Sequence, residues 1–227
     1  MKAGKESEPR LSFHLSPYRS YFFSVPLCLC GQSFLSTPRR ILGLDPGLQT
    51  TGYGVIEITP DGPRVAEAGV VRSSEGRVKA EFAERIKALY DGIVEVIDQW
   101  SPAAIAVEQL YAHYEHPRTA ILMGHARGAF LLAGAQRGIP VLSYAATQVK
   151  KLITGHGRAG KEQMQYTIMR ELGLTAVPEP PDVADALAIA LCHYYASQSI
   201  ANGSRGATFT GVNLSMFEPQ LDEESAE

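Results

Sequence analysis

Three cysteines in 227 residues, Cys28, Cys30 and Cys192, are too few for a disulfide framework. No Cys/His spacing resembles a zinc site, so thiolate–metal chemistry has no ligands here. Long apolar runs are missing too. Nothing approaches the roughly 20 consecutive apolar residues of a bilayer-spanning helix, which excludes a helical membrane protein. The single tryptophan, Trp100, reads as core. What remains is an ordinary soluble composition, 45% hydrophobic and 20% charged, able to bury a sizeable core in one large domain or at most two small ones.

The net charge of −3 gives no overall hint of nucleic acid, but the average hides an asymmetry. From Arg118 to Arg170 eight basic residues (Arg118, Arg127, Arg137, Lys150, Lys151, Arg158, Lys161, Arg170) face one acid, Glu162. From Arg39 to Pro117 eight basic residues face twelve acids, and Glu218 to Glu227 carries five acids and no base. A basic segment inside an acidic protein suggests a polyanion held on one surface, although solvated helix faces also collect basic residues.

The two ends differ from the middle. Residues 1–39 scatter Ser, Pro and aromatics without sustained periodicity. The mostly apolar Tyr21–Cys30, preceded by Arg10 and Arg19, has some look of a secretory signal. Pro26 interrupts it and no clear small-residue cleavage site follows, so a disordered leader or a start codon chosen too far upstream is expected, with a cytoplasmic location. Residues 201–227, rich in Gly, Ser and acids, read as a disordered acidic tail.

Between them, residues 40–200 alternate strands and helices. Ile41 to Leu44 is a short apolar run ending at Asp45-Pro46-Gly47, a turn signal. Gly52 to Ile58 reads as a second strand, and Asp61-Gly62-Pro63 as a hairpin turn into a third, Val65 to Arg72. The helical spacing of Phe82, Ile86, Leu89, Ile93 and Val96/Ile97 predicts a core-facing helix over Lys79–Gln99. A buried strand, Ala103–Val107, is followed by a helix, Arg118–Arg137, and a strand, Pro140–Ser143. Three helices complete the pattern: Thr147–Thr154, Lys161–Leu172 and Pro181–Ser197. Hairpin-linked strands followed by α/β alternation give an α/β domain of the ribonuclease H-like kind, a mixed five-stranded sheet flanked by helices.

Four carboxylates occupy telling positions in that scheme. Asp45 ends the first strand and Glu108 the fourth, while Asp182 and Asp185 open the last helix three residues apart, on one face. Singly, each has an ordinary explanation: Asp45 starts a turn, and acids near a helix start favour the macrodipole. Jointly they point to a site beyond the strand ends, where ligands gather in α/β sheets. Two like charges 4 Å apart cost roughly 4 kcal/mol at an effective dielectric near 20, so such a cluster needs cations. All-oxygen ligands favour Mg²⁺ or Mn²⁺, and two such ions about 4 Å apart suit phosphodiester cleavage.

Taken in order, several motifs resemble one family, the RuvC Holliday junction resolvases. They are Ile41-Leu42-Gly43-Leu44-Asp45-Pro46-Gly47 with Thr51-Gly52-Tyr53-Gly54-Val55-Ile56, Glu108-Gln109-Leu110-Tyr111, and Gly124-His125-Ala126-Arg127-Gly128. Gln148-Val149-Lys150-Lys151, Gly155 to Lys161, and Asp182-Val183-Ala184-Asp185-Ala186-Leu187-Ala188 follow. The resemblance covers about residues 40–200 and leaves residues 1–39 outside. It implies a homodimeric, Mg²⁺-dependent endonuclease with two ions per active site, Mn²⁺ as a substitute, that nicks two strands of a four-way DNA junction symmetrically in recombination and repair. It further implies Asp45, Glu108, Asp182 and Asp185 as catalytic metal ligands, and Lys150 and Lys161 among the DNA-contacting residues. The family varies at the position of Asp182, where some members carry His. A branch-migration complex of the RuvA and RuvB type is the implied partner.

The loop Gly155-x₄-Gly160-Lys161 satisfies most of a nucleotide-binding P-loop, but Glu162 replaces the required Ser/Thr and a helix precedes it. A glycine loop carrying Arg158 and Lys161 is better read as a phosphate-gripping arm. Two roles fit Tyr111, just past Glu108: stacking on an unpaired base, or packing at a hinge. In the family an aromatic at this position often works at the junction. Gly124-x₃-Gly128 would let another helix approach closely, as at a dimer seam. Two other functions fit parts of the pattern. A phosphotransferase of this fold normally carries two copies of it, for which the chain is too short; a catalytically silent junction binder would have lost acids that are all present.

Overall fold

The computed structural model describes residues 39–74, 80–110 and 117–201. The expected leader, the acidic tail and Tyr111 lie outside the described residues. Strand β1 (Arg39–Asp45) alternates its side chains between two sides, as the twofold period of a strand requires. Ile41 packs to one side and Leu42 and Leu44 to the other. β2 (Thr50–Thr59) and β3 (Gly62–Arg72) follow as successive antiparallel partners. Their turn is closed by Gly62, whose φ of 119° lies where a side chain would be strained.

Helix α1 (Phe82–Trp100) then returns the chain to β4 (Ala104–Gln109), parallel to β1. It buries Leu89, Ile93, Val96 and Ile97, as the spacing predicts. Phe82, expected in that stripe, is 37% exposed. It is the first residue of the helix, beyond the sheet's edge of cover, and its ring meets His125 edge-on at 5.2 Å. Trp100 is only half-buried, capped by the Arg40 guanidinium 5.3 Å above its ring. Helix α2 (Pro117–Gln136) leads to β5 (Val141–Ala145), parallel to β4, and the sheet order is β3-β2-β1-β4-β5. Helices α3 (Ala146–Thr154), α4 (Lys161–Glu171) and α5 (Pro181–Ala201) complete the described chain.

The sheet is a wall between two cores. On one side Leu42, Leu44, Val55, Ile105 and Val107 meet α1 and, from α2, Ala126, Phe130 and Ala133. On the other, Ile41, Ile56, Ala106 and Tyr144 meet α3, α4 and α5. Each large aliphatic side chain buried in this way contributes about 1.5–3 kcal/mol. The middle of α5 is buried continuously, from Ala186 to His193, which explains its uniformly apolar sequence there. Among the described residues no helix is long and apolar enough to cross a membrane. The mixed five-stranded sheet with flanking helices is the architecture the sequence predicts.

Candidate active site

Strand parity aims the first two acids. Asp45 shares the parity of Ile41 and Gly43, and Glu108 that of Ala106, so both carboxylates project toward α5. The strands carrying them are parallel neighbours whose pairing ends at Leu44 and Val107, one residue earlier on each. Asp45 and Glu108 therefore stand together where the two strands finish.

Glycine brings the other two acids down to them. Asp45 pairs with Gly52 across the β1–β2 ladder. A Cβ on Gly52 would lie 2.1 Å from the Asp182 carbonyl oxygen, and one on Gly43 would lie 2.1 Å from that of Ala186. Only bare backbone on the sheet allows α5 to lie this close. Asp182 sits in the first turn of α5 with Asp185 one turn further on, both partly buried. In the sequence, Gly52 reads simply as part of a strand. A glycine at a strand position facing a helix is the signal that could have marked the close approach.

Crowding shows in the proton affinities. The Asp45 carboxyl is pushed up to about 8, first by burial, then by the charges of Glu108 and Asp185, a hydrogen bond with Glu108, and the charge of Asp182. Glu108 is raised as well, chiefly by burial. The hydrogen bond with Asp45 works the other way on Glu108. Burial also raises Asp185, opposed by the charges of Lys161 and Lys150. Those lysines, Lys150 from α3 and Lys161 at the start of α4, line a cavity of about 150 Å³ with Glu108 and Asp185. Among the described residues no group of three or more His, Cys, Asp or Glu is drawn tightly enough together to hold a metal ion.

Of the expected DNA-contacting residues, Lys150 and Lys161 thus stand beside the acids. Arg158 is exposed in the loop between α3 and α4, outside the residues lining the cavity, and Tyr111 is not among the described residues. The loop is entered from helix α3 through Gly155, at φ 80°, which is not the strand-to-helix turn of a P-loop. Two members of the basic segment are tied to neighbouring elements of the fold. Arg137 grips Asp98 with two hydrogen bonds of 2.6 and 2.8 Å, and Arg127 donates to the Glu108 carbonyl oxygen at 3.2 Å and to Ser143 Oγ at 2.5 Å. A charge count along a sequence cannot distinguish a guanidinium facing solvent from one spent on the fold.

Known proteins with this arrangement are numerous. Residues 41–193 match the family described as RuvC, crossover junction endodeoxyribonuclease RuvC. The crossover junction endodeoxyribonuclease RuvC of Rhodopirellula baltica is 51% identical over 163 residues, 70% of this chain and 89% of that protein. That of Pelotomaculum thermopropionicum is 45% identical over 153 residues, 67% and 91% of the two chains. A solved structure of T. thermophilus RuvC in complex with a Holliday junction substrate superposes with a TM-score of 0.64 at 34% identity. It covers 70% of this chain and 95% of that one. With the family match spanning most of the described fold, and these identities sustained over nearly the full length of the relatives, the chain belongs to the RuvC family of crossover junction endodeoxyribonucleases.

Proposed function

We propose that the protein resolves four-way DNA junctions by paired symmetric nicks, as a homodimer, with Asp45, Glu108, Asp182 and Asp185 as its metal-holding catalytic acids. The observation that carries this reading is the gathering of carboxylates where β1 and β4 end, with α5 laid against them over Gly43 and Gly52. Burial, and then the charges of its neighbours, oppose the ionisation of Asp45 in this cluster. Its donors are all hard oxygens, the set that suits Mg²⁺ or Mn²⁺ rather than a thiophilic metal. When bound, such ions supply the neutralisation of charge on the attacking and leaving oxygens that phosphodiester hydrolysis demands.

The chain's own side chains do the rest. Lys150 and Lys161 hold the scissile phosphate against the acids, and Arg158 grips the backbone beside it. Tyr111, three residues past Glu108, stacks on an unpaired base at the crossover, where bases separate most readily. Two equivalent strands must be cut, and one site cuts one, so the active species has twofold symmetry. The exposed face of α2 supports a dimer across that helix. Ile121 (61% exposed), Gly124, Gly128 and Leu132 (52% exposed) form one stripe, and a Cβ on either glycine would meet open space.

The test is a labelled synthetic four-way junction incubated with Mg²⁺ or with EDTA. Cleavage in Mg²⁺ alone is expected, at paired positions on opposite strands. Asp45→Asn, Glu108→Gln and Asp185→Asn should bind the junction and leave it uncut. Substantial cleavage by Asp45→Asn would remove the proposed mechanism.

A further inference from the structure

We propose that Arg127 is a positioning residue: from α2 it fixes the end of β4 so that the Glu108 carboxylate is held against Asp45 and Asp185. The proposal rests on the reading of Glu108 as a catalytic acid and adds a group that acts through it.

The need for such a group follows from the sheet. Pairing between β1 and β4 stops at Leu44 and Val107, so the residue that carries the carboxylate has lost its ladder on the β1 side. Pairing with β5 continues through Glu108 and Tyr144 to Gln109 and Ala145. A strand end held on one side is free to twist, and a misplacement of about 1 Å at a reacting group costs on the order of a hundredfold in rate. Arg127 adds a side-chain restraint to this half-held end. Its Nε donates to the Glu108 carbonyl oxygen at 3.2 Å and its Nη2 to Ser143 Oγ at 2.5 Å, so one planar fork spans the ends of β4 and β5.

The base of the fork is fixed. Ala126 and Phe130, on either side of Arg127 along α2, are fully buried against the sheet. The guanidinium itself is partly withdrawn from water, which lowers its proton affinity, and among the described residues it has no carboxylate partner. Desolvating a cation without an anion is costly. A lysine, with one point of charge, could not reach both acceptors in a fixed plane.

Arg127→Met, of similar length but without donors, separates this role from the alternatives. Its turnover of a synthetic junction in Mg²⁺ should fall at least tenfold. Junction affinity in EDTA and its salt dependence should stay at parental values, because Arg127 touches no phosphate. Binding of Mn²⁺, followed by electron paramagnetic resonance without DNA, should weaken, since a ligand-bearing strand end is loosened. Arg127→Lys should recover only part of the turnover. Ser143→Ala, which removes one acceptor at little cost to folding, should give a smaller loss of the same kind and provides the answer if Arg127→Met does not fold. A salt slope reduced by about 0.9 would mean that Arg127 contacts a phosphate and would overturn the proposal. So would parental turnover and Mn²⁺ binding in Ser143→Ala and Arg127→Met. Cleavage by Glu108→Gln, in contrast, would sink the assignment of the acid itself and is read separately.

Discussion

Asp45 is a carboxyl whose environment opposes its ionisation, and that has a cost to the fold. Its affinity for a proton is higher in the native state, at about 8, than in the unfolded chain, at 3.8. The sign follows from linkage. Below pH 3.8 the proton is bound in both states and the contribution to stability is complete; it is lost as the pH rises through 8, because the folded state holds the proton that the unfolded state releases. Stability of the metal-free protein should therefore decline from this source between about pH 4 and 8. Asp45→Asn should raise the melting temperature in EDTA at pH 8 and flatten that pH dependence, while abolishing cleavage. Thermal unfolding followed by circular dichroism across that range checks it. A melting temperature at or below the parental value would show that the carboxyl is not crowded as described. Stability given up at a site to keep chemistry is a familiar exchange, and Asp45 shares it here with Glu108 and Asp185.

At the scale of elements, the approach of α5 to β1 and β2 decides whether the acids meet. Gly52→Ala places a methyl 2.1 Å from the Asp182 carbonyl oxygen, and backbone cannot yield as a side-chain tip can. Overpacking of this kind costs about 1–3 kcal/mol, and α5 must lift to relieve it. Denaturant unfolding should show that loss, and junction cleavage should fall with binding preserved, because the lift moves Asp182 and Asp185 away from Asp45. Equal activity in Gly52→Ala would mean that the spacing is looser than this contact implies.

Much of this element arrangement was legible in the residues. The turn signals at Asp45-Pro46-Gly47 and Asp61-Gly62-Pro63 delimit the strands, and the spacing of Leu89, Ile93 and Val96/Ile97 gives the buried face of α1. Even the convergence of Asp45 and Glu108 follows once both are seen at the ends of parallel strands. Three things were not legible. Phe82 fits the apolar stripe but precedes the part of α1 that the sheet covers. Arg127 and Arg137 count as basic surface until their partners, Ser143 and Asp98, 16 and 39 positions away, are brought beside them. The closeness of α5 depends on which face of the strand a glycine occupies, and that requires register as well as composition.

For the whole molecule, charge and symmetry have to agree. With Arg127 and Arg137 committed to the fold, the outward positive charge of the basic segment comes from exposed residues such as Arg158, Lys161 and Arg170. Each subunit offers one such surface, and a dimer across α2 would present two to one junction. If the proposed dimer forms across α2, Leu132→Lys on its exposed stripe should split it in sedimentation experiments at micromolar concentration, since a buried lysine without a partner is expensive. On a supercoiled plasmid extruding a cruciform, the variant should give nicked circles where the parental protein gives linear product. Unchanged sedimentation would place the interface elsewhere.

One feature of α5 bears on how long the site keeps its shape. The helix that carries Asp182 and Asp185 runs buried from Ala186 to His193, through the middle of one of the two cores. Such a segment does not fray or open alone; its amides are released only when the cooperative unit around it is released. Half of the acid cluster is therefore mounted on a part of the protein that opens last. Its geometry has the lifetime of the native state, whereas the largely exposed loop between α3 and α4, proposed to grip phosphate, belongs to the class of segments that rearrange on their own and far more quickly.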